Sequence, residues 1–272
     1  MIRLHDFIPV EPTTRPGHYR MTVPKQLCVG PPDRLFMFGG VGLASALAAV
    51  EAHTGRPTVW AAAQYLSYAR PGTELDLEVI VPVTGKYNSQ ARVITRAGDQ
   101  EIITVNAALG SRPDSPHHQW AEMPDVPPPE ACPEMTIRWL RDPDDMNSQW
   151  DRRVASGSFG RERGTAPPSS DGIGRLWVRP TNRDLAIDRL VLAVMADFLP
   201  SGVGNALGAN AGGNSLDNTI RYMNFVPTEW VLADIRIHAV HAGFAHGRVH
   251  LFAQDGTLLA TASQSLIVRV HT

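Results

Sequence analysis

The 272-residue sequence is short of cysteine, of net charge and of long apolar runs, and each shortage removes a class of protein. Its two cysteines, Cys28 and Cys132, lie far apart and form neither a CxxC pair nor a histidine-flanked metal pattern. Two isolated cysteines fit a reducing compartment and argue against a disulfide scaffold. The 25 Lys and Arg against 27 Asp and Glu leave a net charge of −2. That balance offers no basic surface for nucleic acid or an anionic membrane. One phosphorylated ligand needs only a local basic pocket, which the total does not reveal. The apolar stretches are too short, and too broken by polar residues, for the ~20 residues of a spanning helix. Met1 to Thr14 holds no apolar h-region and does not read as a secretory signal. Cytoplasm is the expected compartment.

What is present supports a large core: 43% of residues are apolar and 19% charged. The stretch Ser111–Pro133, SRPDSPHHQWAEMPDVPPPEACP, cannot sustain a helix and reads as a linker. Three segments follow from it: 1–112, a Pro-rich 113–147, and 148–272. In the first, Gly39-Gly40-Val41-Gly42 opens an Ala-rich helical segment, Leu43 to Glu51, behind a flexible start. Strand-like runs follow at Leu75–Val79, Ala91–Val93 and Ile102–Leu109, with turn signals at Arg70-Pro71-Gly72 and Ala97-Gly98-Asp99.

The last segment repeats the plan. A largely apolar stretch, Leu190 to Leu199, precedes a Gly/Asn-rich one, and alternating strands follow at 233–238, 248–251 and 258–268. An offset of 157 lays Tyr65 on Tyr222, and an offset of 156 lays Arg92-Val93 on Arg248-Val249 and Asp99 on Asp255. The shared order of helix, strand, strand, turn, strand predicts a duplicated α+β unit, one long helix wrapped by an antiparallel sheet.

The runs Phe38-Gly39-Gly40, Tyr68-Ala69-Arg70-Pro71-Gly72, Ser215-Leu216-Asp217, Glu229-Trp230, Gln254-Asp255-Gly256 and Ala260-Thr261-Ala262-Ser263-Gln264 resemble the acyl-CoA thioesterase II (TesB-like) family. The resemblance runs from about Tyr19 to Val270 and is weakest in the linker. It implies a double hotdog fold, in which two tandem repeats each wrap a helix in an antiparallel sheet. It implies hydrolysis of acyl-CoA thioesters. It also implies that an Asp, a Thr or Ser, and a Gln of the second half position the attacking water. Those positions fall on Asp197, Ser215 and Gln264, with serine where many relatives carry threonine. Serine keeps the hydroxyl but loses some rotamer control, because threonine is stiffer at χ1.

Gln264 shares strand parity with Leu258, Ala260, Ala262, Leu266 and Val268, so its amide points inward and needs polar company. A core glutamine satisfied by backbone is the equal alternative. Asp197, with Pro200 three residues on, reads as a helix N-cap, where the dipole favours its ionised form; capping and base chemistry are compatible there. Asp217 shares Ser215's parity and is the second carboxylate, though a structural role fits it better. Gly39 and Gly40 could let a thioester approach the backbone, or serve ordinary packing. No metal or redox cofactor is implied.

Three other readings stay open. Gly202 to Gly208 matches GxGxxxG, with Val191–Ala196 as a strand before it, a weak dinucleotide signal. A hotdog hydratase or dehydratase would need a histidine near Asp197, from a distant position such as His238, His241 or His246. A non-catalytic acyl-CoA-binding hotdog needs none of the three residues to converge. Arg152, Arg153, Arg161 and Arg163 read as solvated, and Trp120, Trp139 and Trp150 as anchors for the linker. The expected setting is a cytoplasmic homo-oligomer in fatty acid metabolism, with acyl-CoA as partner and neither nucleic acid nor membrane.

Overall fold

The computed structural model describes residues 5–136, 142–160 and 166–271. Trp139, Arg161 and Arg163 lie outside the described residues. The chain divides into two compact units. The first comprises Met1–His118, Leu140–Gln149 and Asn182–Val194; the second comprises Gln119–Trp139, Trp150–Thr181 and Met195–Thr272.

In the first unit, β1 (Glu11–Pro12), β2 (His18–Thr22), β5 (Thr58–Tyr65), β6 (Glu74–Thr84), β7 (Asn88–Ala97) and β8 (Gln100–Gly110) form an antiparallel sheet in the order β1-β2-β6-β7-β8-β5. A short pair, β3 (Cys28–Val29) and β4 (Phe36–Met37), precedes the helix α1 (Gly39–Thr54). α1 packs on β2 and on β5 to β8, and its residues from Gly40 to Val50 are all buried. Alanine and glycine along this helix keep its diameter small, so the sheet can close around it. Gly39, Gly40 and Gly42 are helical, so α1 starts earlier than the Ala-rich run alone suggests. It ends at Gly55, whose left-handed φ of 64° lets its N–H reach Glu51 O at 2.8 Å.

The second unit carries β9 (Trp150–Ser156), β10 (Ile173–Pro180), β11 (Ala211–Ser215), β12 (Asp217–Tyr222), β13 (Val231–His241), β14 (Phe244–Ala253) and β15 (Leu258–Val270). The order is β12-β15-β14-β13-β10-β9, all antiparallel, with β11 also pairing β15. Before β11 the chain is helical but broken. α2 (Arg189–Ala196) is capped by Asp188, whose Oδ1 accepts the Val191 N–H at 3.0 Å. A turn at Asp197-Phe198 follows, then a 3-10 turn, Leu199–Ser201, then α3 (Gly202–Leu207). Pro200 has no N–H to continue the ladder. Ser201 closes the turn instead, with its Oγ on Phe198 O at 2.6 Å. The one long helix expected here is therefore three short pieces.

The run Arg189–Leu207 is apolar and long enough by composition to cross a membrane, contrary to the expectation of short, broken apolar stretches; 78% of its most apolar part is buried inside the protein, as in a core helix. Val191–Ala196 is helix rather than strand, so the GxGxxxG run lacks the strand–loop–helix setting of a dinucleotide site.

The proline-rich segment is no free spacer from Gln119 onward. Gln119 donates to Gly256 O and accepts from the Leu258 N–H, and Trp177 Nε1 donates to Pro127 O at 2.9 Å. Ala121, Met123 and Val126 cover the cluster of Cys132, Trp177, Trp230, Leu232, Phe252 and Leu258. The anchoring indole is thus Trp177, while Trp120 is 82% exposed. Both cysteines are free and buried, and burial pushes the Cys28 thiol up to about 12.

Candidate active site

Three of the predicted residues meet in the second unit. Gln264 Nε2 donates to Asp197 Oδ1 at 2.7 Å. Ser215 Oγ lies 3.1 Å from the same Oδ1 and 3.3 Å from Gln264 Oε1. Asp197 is 4% exposed and Gln264 3%, whereas Ser215 is half-buried. The serine has one proton to give, so it shares that proton between two acceptors, the carboxylate being nearer. Its lone pairs are left to accept. Turning the amide of Gln264 round would set its oxygen against the carboxylate, so this orientation is the one the charges allow.

Each residue arrives by a different route. Gln264 sits on the buried face of β15 with Leu258, Ala260, Ala262 and Leu266, as its parity predicts. Val268, the last member of that face, is only half-buried near the strand end. Ser215 ends β11, opposite Leu266. Asp197 does not cap a helix. It follows the last residue of α2, and the residue ahead of the 3-10 turn is Phe198, without a side-chain cap. In place of a helix terminus, two side-chain donors reach its carboxylate.

The 3-10 turn after Asp197 packs on β11, β14 and β15. It fits because Gly247, paired with Gln264, has no side chain: a Cβ there would lie 3.3 Å from Leu199 Cδ2 and 2.7 Å from Arg236 O. Phe198 fixes the turn from the other side. Trp150 meets its ring edge-on at 5.5 Å, and the Arg152 guanidinium lies 5.9 Å from its centroid. Arg152 is buried, so it is not the solvated residue the sequence suggested.

A β-bulge separates β11 from β12. Ser215 pairs with Leu266 and Thr219 with Ser263, so four steps on one strand oppose three on β15. The extra residue reverses the parity beyond it. Asp217 therefore leaves Ser215's face, contrary to the alternation read from sequence. Its Oδ1 accepts the Ser265 N–H at 2.7 Å while the Leu216 N–H binds Ser265 O, a structural role. The same bulge brings in a residue the sequence analysis missed. Asn218 stands opposite Gln264 by continuation of the register, on the same inward face, and is 0% exposed. Three residues from Ser215, simple alternation sends it the other way. A polar run ending one buried strand was the only signal available.

Gly39 and Gly40 lie in the first unit, as the first two residues of α1. His238, His241 and His246 are exposed, and His246 Nδ1 pairs with Ser265 Oγ at 3.0 Å, on the face away from Gln264. No group of three or more His, Cys, Asp or Glu able to hold a metal occurs among the described residues.

The profile of the acyl-CoA thioesterase C-terminal domain family matches residues 121–268. Among solved structures, a protein provisionally assigned as a thioesterase from Novosphingobium aromaticivorans is 35% identical, with a TM-score of 0.84, covering 94% of this chain and 96% of its own. A hot dog fold protein of unknown function from Alicyclobacillus acidocaldarius is 21% identical, with a TM-score of 0.82 and coverage of 99% and 98%. The acyl-CoA thioesterase II TesB2 of Mycobacterium marinum is 19% identical, with a TM-score of 0.75 and coverage of 99% of both chains. The fold is a hotdog fold. No curated protein matches the sequence.

Proposed function

The chain belongs to the acyl-CoA thioesterase II (TesB-like) family, and from that premise we propose that it hydrolyses acyl-CoA thioesters to a free acid and CoA, using a water held by Asp197, Ser215 and Gln264. The observation that carries this reading is the convergence of Ser215 Oγ and Gln264 Nε2 on one oxygen of a buried carboxylate. A carboxylate held by two side-chain donors presents a fixed acceptor to a water proton. In this mechanism Asp197 takes that proton as the water oxygen bonds to the thioester carbonyl carbon. The tetrahedral intermediate collapses, the C–S bond breaks, and the proton passes to the departing CoA thiolate. Ser215 and Gln264 hold the carboxylate and the water in line, which removes most of the orientational cost of the step.

The reading extends to a double hotdog whose repeats are 1–112 and 148–272, joined through 113–147. Gly39 and Gly40 take a substrate-binding and oxyanion role, since a backbone without Cβ atoms can be approached closely. The proposed setting is a cytoplasmic homo-oligomer in fatty acid metabolism.

The test is release of free thiol from a series of acyl-CoAs, by wild type and by Asp197→Ala with the fold checked by circular dichroism. Hydrolysis by wild type and its loss in a folded variant supports the reading. A wild type that binds acyl-CoA without turnover makes the protein a binder instead.

A further inference from the structure

Asn218 is a buried amide across the strand pair from Gln264 that the mechanism leaves unused. Its residue is fully buried, yet neither Oδ1 nor Nδ2 has a hydrogen-bond partner among the described residues. Buried side-chain amides are rarely left so, because each unmet group costs about 1–3 kcal/mol. Its position is informative. By register it lies directly across from Gln264, where side chains of neighbouring strands stand about 4.5–5.5 Å apart at Cβ. The bulge at Leu216 is what turns it to that face. Bulges next to active sites commonly serve to re-aim a side chain.

We propose that Asn218 is a fourth member of the water-holding group: its amide binds the attacking water beside Gln264 and fixes the orientation in which Asp197 takes the proton. Ser215 Oγ gives its one proton, and Gln264 Nε2 one of its two, to Asp197 Oδ1, so a further polar group beside Gln264 adds a contact to the water. An amide supplies both a donor and an acceptor there. Its unmet polar atoms are then a cost in stability retained for function, which an apolar side chain of similar size would relieve.

The inference rests on the hydrolase reading, and its test separates the two. In Asn218→Leu, kcat for acyl-CoA hydrolysis should fall about a hundredfold, the scale of a misplaced reactant, with KM unchanged. The melting temperature should be equal to or above that of wild type. Asn218→Ser, which restores a donor and an acceptor, should recover part of the rate. A purely structural asparagine predicts the opposite pair: lower stability in the Leu variant and no rescue by serine. That result, or a Leu variant as fast as wild type, overturns the assignment. A high-resolution crystal structure of the wild type gives a readout independent of turnover. An ordered water bridging Asn218 to Asp197 or Gln264 supports the inference even if no acyl-CoA is hydrolysed; a dry Asn218 contradicts it. Absence of wild-type hydrolysis, by contrast, counts against the hydrolase reading alone.

Discussion

Replacing Gln264 with leucine removes a short polar contact of the site while nearly keeping the side chain's volume. Gln264 is 3% exposed and gives Asp197 Oδ1 its 2.7 Å hydrogen bond. A hydrogen bond to a charged group contributes about 1.5–3 kcal/mol net, and here its loss leaves a buried carboxylate with Ser215 as its remaining partner among these three. At about 2–4 °C per kcal/mol for chains of this order, the melting temperature should fall by about 3–12 °C. The catalytic loss should be larger. Removing one well-aimed donor from a reacting centre costs about a hundredfold to a thousandfold in kcat, and KM should barely move because the amide is not a substrate anchor. The assay is continuous thiol release with one acyl-CoA, alongside a thermal melt. Gln264→Glu serves as the charged counterpart. Two carboxylates at this separation cannot both ionise, so they share a proton at low pH and repel as pH rises. That variant should lose stability and rate as pH rises. A Gln264→Leu enzyme with wild-type kcat would refute the reasoning, because the contact would then be packing alone.

Two further outcomes follow from the elements that carry Asp197. Gly247→Ala puts a Cβ 2.7 Å from Arg236 O and 3.3 Å from Leu199 Cδ2; overpacking of this kind costs about 1–3 kcal/mol. Because Leu199 is two residues from Asp197, kcat should fall along with the melting temperature, which thiol release and a melt will show together. Asp188 is the second case. Burial raises its carboxyl pKa, but hydrogen bonds from His5 and the Val191 N–H, with the His5 charge, outweigh burial and hold it below the ordinary value. A depressed carboxyl pKa stabilises the fold above the unfolded-state value of about 3.9, and the benefit disappears as pH falls through the folded-state value. Asp188→Asn keeps the cap, so wild type should melt higher than the variant at neutral pH and the gap should close in acid. A gap independent of pH would contradict this.

Much of the fold was legible because it rests on alternation. Leu75–Val79, Ala91–Val93 and Ile102–Leu109 all lie within strands, and β15 buries the predicted face with Gln264 in it. Asp197 and Ser215 came from the family resemblance, and the parity of Gln264 added only that its amide points inward and needs polar partners. What alternation cannot carry is a change of phase. The bulge at Leu216 moves Asp217 off Ser215's face and brings Asn218 onto Gln264's, and no residue type in Ser215-Leu216-Asp217-Asn218 announces it. The second helix was misjudged for a related reason. Asp and Pro three residues apart suit a helix start, but Asp188 already supplies the cap, and after the break at Asp197-Phe198, where Pro200 has no N–H to continue the ladder, Phe198 rests against Trp150 and Arg152. Those contacts are long-range and invisible locally. The docking of the proline-rich stretch was not legible either, because it depends on Trp177 and Gln119 finding partners far along the chain.

The most direct test is a single turnover with enzyme in excess over acyl-CoA, run in water enriched in oxygen-18. Direct attack by a held water places the heavy oxygen in the released fatty acid and leaves the Asp197 side chain unlabelled when its peptide is weighed. Heavy oxygen in Asp197, or an acyl group trapped on Asp197 or Ser215, would mean that a side chain is the nucleophile, and the water-holding role given to these residues would be wrong.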